Sequence, residues 1–255
     1  MAGGGTDQMS EVLLEIEGSV AVVTLNAPER RNALNDVMTG EIIAICEEID
    51  GNPAIGAAVI RGAGPTFCAG ADRNVLRTRG QDVTGATPTA VDGYRSFARV
   101  GELKVPTIAA VRGAAVGAGL NLVFATDLRI VAEDARLMAG FLRIGIHPGG
   151  GHFALVARTA GREAAIAMAI FGQEMSGRRA AEVGAAWEAL PADQVEPRAM
   201  ELAGIAGADP ELARAILNSM RLELGPPGVS WPAALEMERA AQAWSLRRRA
   251  LKEGG

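Results

Sequence analysis

The stretch VPTIAAVRGAAVGAGLNLVFATD, Val105 to Asp127, holds the change of pattern around which the rest of the chain can be arranged. Pro106 stands at the lip of a short apolar run, Thr107 to Val111, that reads as a strand. Gly113, Gly117 and Gly119 then interrupt a series of small residues, and from Gly119 onward Leu120, Leu122, Val123 and Ala125 read as a buried helix. A strand that passes through a glycine-rich turn into a helix N-terminus presents backbone N–H groups without intrahelical partners, together with the positive end of the helix dipole. Such a turn favours an anion or a developing negative charge.

Three readings compete for this turn. Its small residues could serve only to let neighbouring segments approach closely. Gly113, Gly117 and Gly119 also have the G-x-x-x-G-x-G spacing of a dinucleotide-binding turn. The Tyr-x-x-x-Lys pair that should follow is missing, because the only tyrosine, Tyr94, lies upstream with Ala98 in the lysine position. The third reading is an oxyanion hole, in which backbone N–H groups meet charge developing on a carbonyl oxygen. That reading requires a second donor from elsewhere in the chain.

Composition narrows the field. A chain of 255 residues forms one large domain or one domain with a small appendage. Hydrophobic residues make up 49% but aromatics only 4%, so small side chains must carry much of the core. A net charge of -5 offers no basic surface for nucleic acid. Cys46 and Cys68 are the only cysteines and are expected as reduced thiols. MAGGGTDQMS has neither the basic nor the apolar segment of a signal peptide, and no run is long enough to cross a membrane, so a cytoplasmic protein is expected.

Val12 to Ile16 and Val20 to Leu25, flanking Gly18 and Ser19, read as a hairpin. The polar segment Asn26 to Asn35 leads to a helix capped by Asn35 or Asp36, with Met38, Ile42, Ile45 and Ile49 at helical spacing up to Gly51. Ala57 to Ile60 reads as a buried strand. After Pro65, Thr66 and Phe67, the small residues Cys68, Ala69, Gly70 and Ala71 form a turn, and Asp72 opens a short helix. This second strand–turn–helix unit supplies the second donor that an oxyanion hole needs. Thr78 to Thr89 reads as a mobile surface loop.

PERRNALN (Pro28 to Asn35), FCAGAD (Phe67 to Asp72), VRGAAVGAGLNLVFATDLRIVAEDA (Val111 to Ala135) and GIHPGGG (Gly145 to Gly151) together resemble the enoyl-CoA hydratase/isomerase, or crotonase, family in order and spacing. The resemblance runs from about Val12 to Gly255. It implies an α/β fold, a crotonase-like spiral of ββα units with a C-terminal helical trimerisation region, divided here as a core over residues 1–190 and a helical region over 191–255. It also implies an acyl-CoA thioester as partner, with its carbonyl held by the N–H groups of Ala71 and Ala118. CoA enters as part of the substrate, with no separate cofactor and no metal. Arg30, Ala33, Ala69, Gly70, Asp72, Arg73 and Gly117 fall on segments that line the family's CoA groove, and Arg30, Arg31 and Arg73 are the charges assigned to its phosphates.

The resemblance also shows departures. The family's two catalytic glutamates fall at Asn121 and Phe141, and the aspartate of its dienoyl-CoA isomerases falls at Gly149. An amide can orient a water molecule but cannot take its proton, and a phenyl ring does neither. His147 and His152 are the only histidines; either would suit a general base or serve structurally as a hydrogen-bonded group. Two functions therefore remain open: an acyl-CoA enzyme that stabilises an enolate without the two glutamates, as an isomerase or lyase, or a non-catalytic acyl-CoA-binding protein.

Toward the C-terminus, His152 to Thr159 reads as a helix broken at Gly161. Ser176 caps a short helix that leads to Ala185 to Ala189. Asp209, Pro210 and Glu211 form an N-cap, an N1 proline and a first-turn acid, with Leu212, Ile216 and Met220 on one face of the helix that follows. A last helix from Ser230 carries the stripe Ala234, Met237, Ala241 and Trp244, which is either core or a contact between subunits of a trimer or dimer of trimers.

Overall fold

The computed structural model describes residues 10–72, 74–75 and 90–225, with the single positions 228, 230, 233 and 244 beyond them. The expected hairpin is present as β1 (Val12–Glu17) and β2 (Val20–Leu25), paired antiparallel with Leu14 opposite Val23. From β2 the sheet continues in parallel through β3 (Ala57–Gly62) and β4 (Thr107–Val111). Two further strands, here β6 (Leu128–Ala132) and β9 (Glu188–Leu190), complete six strands in the order β1-β2-β3-β4-β6-β9. All six residues of β2 and all five of β4 are buried, as continuous apolar runs covered on both faces should be. A second sheet joins β5 (Ala114–Val116), β7 (Arg136–Met138) and β8 (Glu174–Ser176).

The helices are α1 (Asp36–Gly51), α2 (Ala90–Gly101), α3 (Ala118–Ala125), α4 (His152–Ala169), α5 (Gly177–Glu182), α6 (Val195–Gly207) and α7 (Pro210–Leu224). Their starts follow the expected caps: the side chains of Asn35, Ser176 and Asp209 accept from the N–H groups of Met38, Arg179 and Leu212. Gly161 is non-helical, at φ 86° and ψ 165°, and kinks α4 where the sequence places the break. Alanines such as Ala58, Ala109, Ala110 and Ala115 are fully buried between strands and helices, which is how a chain so poor in aromatics closes its core.

One expectation needs correction. The glycine-rich turn between β4 and α3 is not a plain turn: Ala114 to Val116 forms β5, pairing in parallel with β7. Three small residues past Gly113 suffice for that ladder but are too short to show period-two patterning. The face that carries Leu212, Ile216 and Met220 is turned largely to solvent, with Ile216 60% exposed, while Leu217 is buried. Instead α7 docks through Arg214, Leu217 and Arg221. Arg214 donates to the carbonyls of Ile49, Asn52 and Ile55 at the end of α1, and Arg221 pairs with Asp127. Orphan carbonyls at the α1 C-terminus thus find their donors on another helix. The segment after α5 enters its strand at Glu188–Leu190. The loop at 78–89, Arg73 and the stripe at Ala234, Met237 and Ala241 lie outside the described residues.

Candidate active site

Asn32 organises the entrance to the site. It is buried at φ 53°, its side-chain oxygen accepts from Ala27 N–H at 2.9 Å, and its amide donates to the carbonyls of Ala63 at 2.9 Å and Thr66 at 2.8 Å. The polar segment after β2 is thereby pinned to the segment after β3. Beside it, Ala69 N–H donates to Arg31 O, Leu34 N–H to Gly70 O, and Asp72 N–H to Leu34 O. In this short parallel bridge the ladder passes over Ala71, whose N–H has no backbone acceptor among the described residues.

The second turn is built against the first. Cys68 N–H donates to Ala114 O and Val116 N–H to Cys68 O, while Gly117 N–H donates to Met138 O. Ala118 is the first residue of α3, so its N–H has no intrahelical acceptor. Two glycines allow the contact. A β-carbon on Gly70, at φ 94°, would stand 2.6 Å from Val116 O and 3.6 Å from Ala118 N. One on Gly119 would stand 2.5 Å from Cys68 O. Without side chains at these positions, the Ala71 and Ala118 turns lie in direct contact.

One helical turn beyond Ala118, Asn121 is buried and held from both ends of its amide. Its nitrogen donates to Gly149 O at 3.0 Å, which leaves its oxygen facing His152 Nδ1 at 2.8 Å. An amide oxygen only accepts, so Nδ1 carries the proton and Nε2 of His152 is a bare lone pair. Nε2 is buried with no partner among the described residues. The Phe141 ring packs edge-on against this imidazole, with ring centres 4.9 Å apart, and a β-carbon on Gly117 would meet the same phenyl ring at 3.7 Å. Asn121, Phe141 and His152 are therefore one cluster, adjoining the Gly117–Ala118 turn. His147 is not part of it: it is exposed, and its Nδ1 lies 2.6 Å from Pro148 O. Tyr94 of α2 also reaches this wall. Its hydroxyl fills the space that a side chain on Gly149 would enter, at 2.1 Å from the β-carbon position.

Burial lowers the pKa of His152 from 6.5 to about 4, with no charged neighbour contributing. At neutral pH the ring is uncharged in both folded and unfolded chains. Below pH 6.5 the unfolded chain takes up the proton first, so stability falls as the pH drops from 6.5 towards 4. At about 1.4 kcal/mol per unit, this group should remove about 2 kcal/mol by pH 5. Denaturant melts of the wild type and His152→Asn at pH 7 and pH 5 check this: the variant should lose that component of the pH slope, and identical slopes would show that the imidazole is not buried in its neutral form.

The other named residues fall into groups. Arg30 pairs with Glu11 and donates to the Ala33 carbonyl, so it braces the loop. Arg31 is exposed in the left-handed region. Asp72 accepts from Asn74 N–H at 2.8 Å, a local turn contact. Ala33, Gly70 and Gly117 are buried within the two turns and Ala69 is half-buried beside them. The thiols of Cys46 and Cys68 are free and buried, which pushes both up to about 12 and removes them as nucleophiles at neutral pH. No helix among the described residues is long and apolar enough to cross a membrane.

With this geometry in place, comparison with known proteins gives the class. The enoyl-CoA hydratase/isomerase family model matches residues 15–241, and the chain belongs to that family. It is 40% identical over 220 residues to the probable enoyl-CoA hydratase EchA14 of Mycobacterium tuberculosis, covering 86% of this chain and 84% of that one. It is 33% identical over 200 residues to the 1,2-epoxyphenylacetyl-CoA isomerase of Escherichia coli, covering 76% and 75%. Among solved structures, a protein of Thermobifida fusca YX in complex with CoA superposes with a TM-score of 0.80 at 26% identity, covering 94% of this chain and 95% of that one. The crotonase-like α/β fold and the use of acyl-CoA expected from the motifs are thus those of the family.

Proposed function

We propose that this protein is an acyl-CoA enzyme that holds a thioester carbonyl between the N–H groups of Ala71 and Ala118 and stabilises the enolate formed there. The observation that carries the reading is the meeting of two turns, each with an N–H that no described residue accepts. Fixed donors aimed at an oxygen that gains charge lower the transition state without reorganising. Asn121 and Phe141 stand where family members carry glutamates, so isomerisation or bond cleavage fits the site better than hydration. CoA is part of the substrate, and neither a further cofactor nor a metal is invoked. Arg30, Arg31 and Arg73 are the cations assigned to the CoA phosphates, with the Arg30–Glu11 pair also bracing its own loop. The backbone of Ala33, Ala69, Gly70, Asp72 and Gly117 lines the groove.

A second reading, a non-catalytic acyl-CoA-binding protein, draws on the same absence of carboxylates. Calorimetry addresses the part common to both. Acyl-CoA thioesters should bind more tightly than the matching free acids, and equal affinity would count against any acyl-CoA site. Product analysis on each thioester that binds then separates enzyme from binder. We also propose a cytoplasmic trimer or dimer of trimers, with residues 191–255 as the helical region beyond the core. Sedimentation should give a trimer or hexamer mass at micromolar concentration; a stable monomer would contradict it.

A further inference from the structure

The amide of Asn121 cannot take up a proton, yet an acyl-CoA isomerase that forms its enolate by deprotonation must remove one from the carbon next to the carbonyl. The bonding around Asn121 locates an acceptor. Its nitrogen is committed to Gly149 O and its oxygen to the Nδ1–H of His152, so the tautomer is fixed and the Nε2 lone pair is directed away from both. That lone pair is buried without a partner among the described residues, and leaving a buried acceptor unpaired costs about 1–3 kcal/mol. A buried group left unpaired calls for a reason, and a catalytic role is one.

Position points the same way. Asn121 lies one turn after Ala118 on α3, and Phe141 touches both His152 and the Gly117 side of the carbonyl cradle. We infer that Nε2 of His152 is the proton acceptor of the site, taking the α-proton of the bound acyl-CoA while Asn121 holds the ring in the required tautomer. This rests on the acyl-CoA reading above.

In the step, the Cα–H bond breaks and an N–H bond forms at Nε2. The C–H electron pair becomes the carbon–carbon double bond of the enolate, and the carbonyl pair moves onto the oxygen held by the Ala71 and Ala118 N–H groups. The resulting imidazolium still donates Nδ1–H to Asn121. No other reactant is consumed, and return of the proton restores the thioester. Burial keeps the lone pair free: with its pKa lowered to about 4 the ring is unprotonated at pH 7, a weaker base than free imidazole but comparable to a carboxylate at about 4.3. Asn121 is then a positioning residue and His152 the catalytic one.

The test uses the whole protein with three saturated thioesters, butyryl-, octanoyl- and phenylacetyl-CoA, in deuterium oxide. Affinity is read by calorimetry and uptake of α-deuterium by mass spectrometry. The wild type should bind at least one probe and exchange its α-protons. His152→Asn can keep a donor near the Nδ1 position for Asn121 but has nothing at Nε2, so exchange should fall about 10²-fold or more with affinity little changed. Exchange at the wild-type rate in the variant would overturn the role of His152 and leave the acyl-CoA reading standing. Binding without exchange in the wild type would overturn the proton-transfer proposal and favour the non-catalytic reading, whereas no binding of any probe would overturn both. Should the variant fail to fold, nitrogen-15 spectra of the wild-type ring decide: a proton on Nδ1, and an Nε2 signal that shifts when a thioester binds, support the assignment. A proton on Nε2 in the free protein, or an Nε2 signal unmoved by bound thioester, overturns it.

Discussion

Wild-type hydration of crotonyl-CoA is expected to be at least about 10²-fold slower than hydration by the double variant Asn121→Glu, Phe141→Glu. Hydration must place a water molecule and move protons at both the oxygen and the α-carbon. The wall that should do this offers an amide already bonded at both ends, a phenyl ring, and a single imidazole packed edge-on against that ring. A carboxylate at position 121 could still accept from the His152 Nδ1–H, and one at 141 would replace an apolar surface with a base. The two gains need not multiply, because groups that serve one transition state are seldom additive. Initial rates for both proteins check the ratio, and wild-type turnover at or above that of the variant would show that the missing carboxylates do not limit this chemistry.

Ala118→Pro is expected to lower α-proton exchange on a bound thioester by about 10² to 10³ while leaving the protein folded. Ala118 is the first residue of α3, where a proline ring is tolerated and the lost N–H breaks no helical bond. The substitution therefore deletes one backbone donor and little else. Thermal melts establish that the fold survives, and exchange kinetics report the chemistry. An unchanged exchange rate in a folded variant would remove the Ala118 N–H from the mechanism.

Much of this fold was legible because its signals are local. Strand β2 is apolar but for Thr24, and Asn35, Ser176 and Asp209 cap helices through their own side chains a few residues away. The two donor turns could be read because glycine and alanine are what close approach requires, and Gly70 and Gly119 stand where a β-carbon would collide with backbone. What stayed hidden depends on contacts between distant segments. The helix α7 buries Leu217 and not the Leu212, Ile216, Met220 stripe, because Arg214 and Arg221 find carbonyls on α1 and a carboxylate at Asp127. Periodicity cannot foresee a docking face that includes two arginines. The pairing of Asn121 with His152 spans 31 residues, and nothing in the sequence favours His152 over His147. The difference appears only when α4 brings one imidazole beneath α3 and leaves the other exposed.

The central claim is that two backbone N–H groups hold a thioester carbonyl, and the most direct measurement compares ligands that differ only there. Calorimetry of butyryl-CoA against S-butyl-CoA, the thioether without the carbonyl oxygen, isolates those two hydrogen bonds from every contact made by the rest of CoA. At about 1 kcal/mol net for each bond, the thioester should bind about tenfold or more tightly to the wild type, and the margin should narrow in Ala118→Pro. Equal affinity of the wild type for thioester and thioether would contradict the account.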